Sequence, residues 1–368
     1  MRIAITGANG FLGRNLRFHL MEQGHCDIIS VTRQTPVEEL PKLLANAEFV
    51  FHLAGVNRPP DPSAFKVGNA GFTAALCDAL GTKPIPIAFA SSTQAELDNL
   101  YGASKLLAEQ VLEEYGRRNG APVQIFRLPN VFGKWSRPNY NSAVATFCHN
   151  IARNQSISIH DPAAPLRLVY VDDVVAALSA LLLSPQAPGG FREVKPEYQT
   201  TVGALAAAIH SFEGSRKTLL VPPVGEGLLR ALHATYLSFL SPARFSYSVP
   251  IHADPRGIFV EMLKTDDSGQ FSYFTAHPGI TRGEHYHHTK TEKFLVIQGV
   301  AEFRFRNIDT GELADLCVKG GDGAVVESIP GWAHSITNAG DGELICMLWA
   351  SEIFDREKPD TVAAKVRP

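Results

Sequence analysis

Cysteine is scarce and scattered in this sequence. Cys26, Cys77, Cys148, Cys317 and Cys346 are odd in number and never form a Cys-x-x-Cys pair, which excludes a disulfide framework and a thiolate zinc site. Long apolar runs are also missing: no stretch approaches the roughly 18 residues of a membrane-spanning helix. The formal net charge of −3 leaves no basic surplus for nucleic acid or an anionic membrane surface. The opening Met1-Arg-Ile-Ala-Ile-Thr6 lacks a signal-peptide core, so a cytoplasmic location is expected. Internal repeats and low-complexity tracts are absent as well.

What remains is an ordinary globular composition of 368 residues, long enough for two hydrophobic cores. Up to about residue 210, short apolar runs (2–6, 28–32, 49–53, 85–90 and 124–127) alternate with amphipathic segments, the pattern of a parallel sheet in an α/β fold. Leu12, Leu16 and Leu20 share one helical face, and Gly24 follows where a left-handed cap is expected. Ser241-Pro242 breaks an apolar helix near 228–240. Beyond it, β-rich runs (271–276, 293–297, 301–306, 323–329 and 343–349) are separated by turn residues. The expectation is a Rossmann-type doubly wound domain over 1–245 and a small all-β barrel or sandwich over 250–368.

Gly7-Ala-Asn-Gly10-Phe11-Leu-Gly13 lies between the first strand and the first helix. Glycines there allow a tight turn and close approach of a pyrophosphate, and the helix N-terminus supplies N–H donors and positive potential. A glycine triplet alone is only a tight loop; its strand-turn-helix setting makes a dinucleotide site the better reading. The second strand ends in Ser30-Val-Thr-Arg33, where an arginine can pair with a 2′-phosphate, so NADPH is expected rather than NADH. Ser91-Ser92-Thr93 closes another strand, and Tyr101-Gly-Ala-Ser-Lys105 starts a helix. Tyr101 and Lys105 then share a face, where the ammonium can lower the phenol pKa and hold the cofactor ribose. Such a phenol exchanges a proton with a substrate oxygen while nicotinamide exchanges hydride.

These segments, with His52-Leu-Ala-Gly55, Arg127-Leu-Pro-Asn130-Val-Phe-Gly133 and Arg167-Leu-Val-Tyr-Val-Asp-Asp173, resemble the extended short-chain dehydrogenase/reductases of nucleotide sugars over roughly residues 1–240. The resemblance implies Ser92 as the hydroxyl on the substrate oxygen, with Thr93 second, and Tyr101 and Lys105 as catalytic partners. It places Gly7, Gly10, Phe11, Gly13, Arg33 and Lys105 on the cofactor, and Asn130 and Arg167 on the sugar nucleotide. Only eight residues separate Ser92 from Tyr101, fewer than in many extended members.

Far downstream, His285-Tyr-His287-His-Thr-Lys-Thr-Glu292 sets two imidazoles two residues apart, as on one face of a strand, with a carboxylate across a turn. Pro330-Gly-Trp-Ala-His334 adds a third imidazole. Three imidazoles and a carboxylate suit zinc or a similar divalent metal, although His-x-His alone is equally often a surface turn. The spacing from Gly279 through Glu292 to Gly299 resembles the first cupin motif and 323–338 the second, without the usual residue between Pro330 and Gly331. That resemblance implies His285, His287, Glu292 and His334 as metal ligands. Segments 254–261 and 282–286 also resemble cupin-fold deoxysugar 3,5-epimerases, in which the matching histidine is a base. Under the metal reading the base is left open among Tyr286, His288, Lys290 and Lys293, all of which can equally be surface residues.

The pairing resembles the bifunctional capsular polysaccharide enzymes, and Trp349-Ala-Ser-Glu-Ile-Phe354 adds to the likeness. It implies C3 epimerisation of a UDP-2-acetamido-2,6-dideoxy-4-hexulose in the cupin, then NADPH-dependent C4 reduction, with a homodimer as the assembly and no nucleic-acid or membrane partner. Two other readings stand beside it: a reductase with a structural cupin, and a non-catalytic NADP sensor, which need not retain Tyr101 and Lys105.

Overall fold

The computed structural model describes residues 1–367, which separate into two compact units: 1–209 with 230–240, and 210–229 with the described residues from 241 onward. The segment 210–229, assigned to the first domain from the sequence, therefore groups with the second. Its reason is main-chain pairing: the Val221 N–H donates to the Lys264 carbonyl and the Lys264 N–H to the Leu219 carbonyl, at 2.8 and 2.7 Å.

In the first unit, β1 (Ile3–Thr6), α1 (Phe11–Glu22), β2 (Ile28–Val31), α2 (Leu40–Leu43), β3 (Phe49–His52), α3 (Ala64–Lys66), α4 (Phe72–Leu80), β4 (Ile87–Ser92), α5 (Leu100–Asn119) and β5 (Val123–Leu128) follow the expected alternation. After β6 (Asn130–Phe132), α6 (Ala143–Ile151), β7 (Pro165–Tyr170) and α7 (Val171–Ala180), the chain adds β8 (Gly190–Arg192) and β9 (Glu197–Thr201). The main sheet runs β2-β1-β3-β4-β5-β8, all parallel, and a small sheet β6-β7-β9 stands beside it. Strands β1, β3 and β4 are buried along their whole length, as a parallel sheet covered on both faces requires. Val50, Ile87 and Ile125 of the sheet pack with Leu76 and Leu80 of α4 and Leu112 of α5. Leu16 and Leu20 of α1 are buried, and Gly24, at φ +87°, supplies the left-handed residue after the helix. Strand order reverses between β1 and β3, which opens a crevice at their carboxyl ends.

One polar side chain closes β3. His52 is buried between the hydroxyls of Thr6, 2.7 Å from Nδ1, and Thr73, 2.9 Å from Nε2, with its ring stacked on Phe89. Burial, reinforced by the Lys105 ammonium, pulls its pKa from 6.5 down to about 3. An unfolded chain takes up this proton near pH 6.5 and the folded one does not, so the stability His52 contributes is complete above pH 6.5 and is lost as pH falls towards 3. Urea unfolding at pH 7 and pH 4.5 should show a pH-dependent loss of about 2–3 kcal/mol that His52→Gln removes; equal slopes for both proteins would refute it.

Helices α8 (Val202–Thr218) and α9 (Gly227–Ser238) precede the second set of strands: β10 (Ile251–Asp254), β11 (Gly257–Thr265), β12 (Gly269–Ala276), β13 (Thr281–Tyr286), β14 (Glu292–Gln298) and β15 (Val300–Asn307). They continue with β16 (Leu313–Lys319), β17 (Val325–Ser328), β18 (Trp332–Asn338), β19 (Leu344–Ala350) and β20 (Val362–Ala363). Two antiparallel sheets result, β10-β11-β12-β19-β14-β17 and β16-β15-β18-β13-β20. Inward-facing Phe274, Phe294, Val296 and Leu348 of one meet Phe303, Phe305 and Ile336 of the other.

Candidate functional site

The glycine turn sits at the crevice of the first unit. Gly7 has φ +68°, and a Cβ there would lie 2.9 Å from the Ala54 backbone; one on Gly13 would lie 2.2 Å from the Gly7 carbonyl oxygen. Both positions are closed to side chains, and the turn is cinched by a 2.8 Å bond from the Gly10 N–H to that same carbonyl. Gly10 caps α1 without a side chain and Phe11 is its first residue, so the helix start is bare main chain, as an anion site needs. Arg33 lies two residues past β2 at the same sheet edge and is exposed.

Ser92, the last residue of β4, and Tyr101, the second residue of α5, are joined by a hydrogen bond between their hydroxyls. Asn99 caps α5 by accepting from the Gly102 N–H at 2.8 Å, which fixes where the helix starts and so where Tyr101 stands. Burial pushes the phenol pKa up, the bond with Ser92 pulls it back, and Tyr140 adds a further push upward. The expected lowering by Lys105 is not found. That ammonium instead donates to the Ala90 carbonyl at 2.8 Å and lies 4.6 Å from the Phe89 ring centroid, with its pKa brought down to about 8 by burial against an opposing pull from Glu109. Thr93 begins the single turn after Ser92.

Sequence reasoning missed Asn69. In a π-turn before α4, this buried amide accepts from the Val56 N–H at 2.8 Å and donates to the Val56 carbonyl at 2.9 Å and the Ser104 hydroxyl at 2.8 Å. A Cβ on Gly55 would be 3.2 Å from both Asn69 Oδ1 and Lys105 Nζ, so the amide and the ammonium share one small space. Its flanking glycines, Gly68 and Gly71, were the only local signal. Asn130 donates to the Arg167 carbonyl at 3.1 Å, while the Arg167 guanidinium forms a two-pronged pair with Glu197 at 2.6 and 2.9 Å. A diphosphate reaching Arg167 must share it with that carboxylate.

In the second unit His285, His287, Glu292 and His334 converge, with one ligand atom of each within 4.8 Å of the others. Three elements deliver them: His285 and His334 are cross-strand partners on β13 and β18, and Glu292 opens β14. His287 lies one residue beyond β13 rather than within it, because Glu284, at φ +62°, bulges the strand and the next residues turn away. Glu292 Oε2 faces Nε2 of His287 at 3.3 Å and Nε2 of His334 at 3.2 Å. Burial raises this carboxyl's pKa, and the two imidazoles outweigh that whenever they donate to it. His287 Nδ1 is committed to the Asp360 carbonyl, which only accepts, so its proton sits on Nδ1 and its Nε2 lone pair points at a carboxylate oxygen. Facing lone pairs, together with the unpartnered Nδ1 of buried His334, fit a site built around a cation. Burial, then His334, brings His285 down to about 4, the neutral form a ligand requires.

A cavity of about 230 Å³ opens on this cluster, lined by His285, Glu292, Lys290, Phe259, Gln270 and Phe354 among others. Of the four base candidates only Lys290 reaches it, buried and 3.2 Å from the Thr361 hydroxyl. Lys293 pairs with Glu327 on the surface, His288 is exposed, and Tyr286 packs against His288. No helix among the described residues is long and apolar enough to cross a membrane.

Residues 3–194 match the NAD dependent epimerase/dehydratase family. The chain belongs to that family. Residues 252–362 match a second one, the polysaccharide biosynthesis C-terminal domain. A UDP-2-acetamido-2,6-beta-L-arabino-hexul-4-ose reductase from Pseudomonas aeruginosa is 55% identical over 368 residues, covering 100% of this chain and 99% of that one. Among solved structures, the capsular polysaccharide assembling protein CapF from Staphylococcus aureus superposes with a TM-score of 0.92 at 42% identity, over 100% of both chains. A UDP-glucuronic acid 4-epimerase from Bacillus cereus in complex with NAD covers 65% of this chain and 98% of its own, at 18% identity and a TM-score of 0.57, a likeness of fold alone.

Proposed function

We propose that this chain is a bifunctional, cytoplasmic nucleotide-sugar enzyme acting on a UDP-2-acetamido-2,6-dideoxy-4-hexulose. The second unit, of cupin type, epimerises C3; the first then reduces C4 with NADPH. The product is UDP-2-acetamido-2,6-dideoxy-talose, for UDP-N-acetyl-L-fucosamine and bacterial surface polysaccharide. The observation that carries this is the Ser92–Tyr101 hydrogen bond one helical turn from Lys105, in a chain 55% identical along its length to a hexul-4-ose reductase.

The glycine turn and the exposed Arg33 would hold NADPH, which would supply the hydride. As charge develops on the C4 oxygen, Ser92 holds it by a hydrogen bond and Tyr101 delivers the phenolic proton. Lys105, cationic at neutral pH with a pKa of about 8 and held on the Ala90 carbonyl, would hold the cofactor ribose, while solvent returns the proton to Tyr101. Before this step the 4-ketone acidifies the C3 proton, so that a base in the second unit can remove it and a proton returned to the opposite face inverts the centre. Lys290, at the 230 Å³ cavity, is placed for one of these transfers. His285, His287, Glu292 and His334 would hold a divalent cation, zinc by donor type, which would lend positive charge to the enolate oxygen. Reduction then removes the ketone and prevents return. Exposed Leu100, Leu106 and Leu107 on α5 give the first unit apolar contacts for a second copy, in keeping with a homodimer.

Proton NMR in deuterated buffer tests both steps. With the keto-sugar alone, deuterium should enter C3; on adding NADPH the ketone should disappear. Reduction without prior exchange would leave the second unit structural and the chain a one-reaction reductase.

A further inference from the structure

Asp360 lies 73 residues from His287 in sequence yet makes five hydrogen bonds with the loop that carries it. Its main-chain carbonyl accepts from His287 Nδ1. Its carboxylate accepts from three successive main-chain N–H groups, those of His288, Thr289 and Lys290, at 2.8, 2.7 and 2.8 Å, and from the Thr289 hydroxyl at 2.9 Å. The next residue, Thr361, bonds Lys290 Nζ, and β20 then pairs with β13, setting Val362 opposite Tyr286 and Ala363 opposite His285. Glu284 pins the strand's exit by accepting from the Ala364 N–H at its carbonyl and from the Val366 N–H at its carboxylate, at 2.9 and 3.0 Å.

We propose that Asp360 is a positioning residue for the imidazole cluster: its carboxylate gathers the 288–290 loop, and that anchorage presents its own carbonyl to His287 Nδ1. The consequence is a fixed tautomer. A carbonyl acceptor keeps the proton on Nδ1, so Nε2 always offers its lone pair towards Glu292 and His334. A free 288–290 loop would let the ring turn and offer either nitrogen. A negative group on three consecutive N–H donors is also an economical way to shape a tight loop, since each charge-assisted bond removes one unsatisfied donor. Nothing else among the described contacts holds those three amides. The same anchorage sets Lys290 at the cavity through Thr361.

The inference rests on the metal reading of the cluster, and the test separates the two. Full-length wild-type protein, Asp360→Ala and Asp360→Asn would be stripped with chelator and titrated with Zn2+ against a colorimetric competitor, and with Co2+ followed by its visible ligand-field spectrum. Asp360→Ala should bind Zn2+ about 10–100-fold more weakly and give an altered Co2+ spectrum, with Asp360→Asn between it and wild type because its amide oxygen keeps one acceptor. Amide exchange in the metal-free proteins should quicken at 288–290 in the alanine variant. NADPH affinity, read in the same samples, should not change. Wild-type Zn2+ affinity and Co2+ spectrum in both variants would overturn the role of Asp360. Failure of the wild type itself to take up either ion would overturn the metal reading instead. If the alanine variant does not fold, the asparagine variant decides.

Discussion

Replacing Tyr101 by Phe should slow NADPH-dependent ketone reduction by about 10²–10⁴-fold while deuterium exchange at C3 continues at the wild-type rate. The substitution removes one oxygen, the one that would deliver the proton, and leaves the ring in its half-buried place on α5 beside Phe65. Loss of the bond to Ser92 should cost stability only about 1 kcal/mol, so the fall in rate is not a folding effect. NADPH absorbance at saturating cofactor and NMR exchange on the same sample make the measurement. Loss of both activities together would mean that the two units do not work separately, and retention of reduction would remove Tyr101 from the chemistry.

The complementary expectation concerns Glu292. Glu292→Gln should abolish C3 exchange and lower Zn2+ affinity by two orders of magnitude or more, yet leave NADPH binding intact. Stability should separate the two proteins chiefly when the ion is bound. Metal-free, the desolvation cost of the carboxylate and its hydrogen bonds with the imidazoles oppose each other, so the neutral amide should melt close to wild type. With Zn2+ at about 100 times its Kd, the wild type should gain about 2.7 kcal/mol and the variant almost nothing. Calorimetry on both proteins with and without Zn2+ provides the check. Identical gains would show that Glu292 is not a ligand.

Much of this was legible because the informative signals are local. Gly7, Gly10 and Gly13 declare a strand-turn-helix whose closeness of packing leaves no room for a Cβ, and Tyr101 and Lys105 share a helical face by spacing alone. The histidine cluster was legible for the same reason, in that two of its members and the carboxylate fall within eight residues. What the sequence hid depends on contacts between distant segments. Asn69 matters only once the fold sets it against Ser104, and Asp360 only once the chain has come back to residue 288. His287 was placed on a strand because alternation cannot reveal a bulge at Glu284. The environment of Lys105 was likewise invisible: a lysine that spacing alone would let face its tyrosine turns to the Ala90 carbonyl.

The path of the chain between the two units has a bearing on modularity. It changes unit after residues 209, 229 and 240, so neither unit is one continuous stretch. A gene cut at residue 245 would deprive the downstream piece of the 219–221 strand edge that pairs with Lys264, and would leave residues 210–229 stranded on the wrong fragment. On a ribosome the first unit is not finished until residues 230–240 have emerged, by which time part of the second has already been made. The two halves are thus interleaved rather than simply joined end to end. Single-residue variants, not excised halves, are the appropriate means of switching off one reaction at a time.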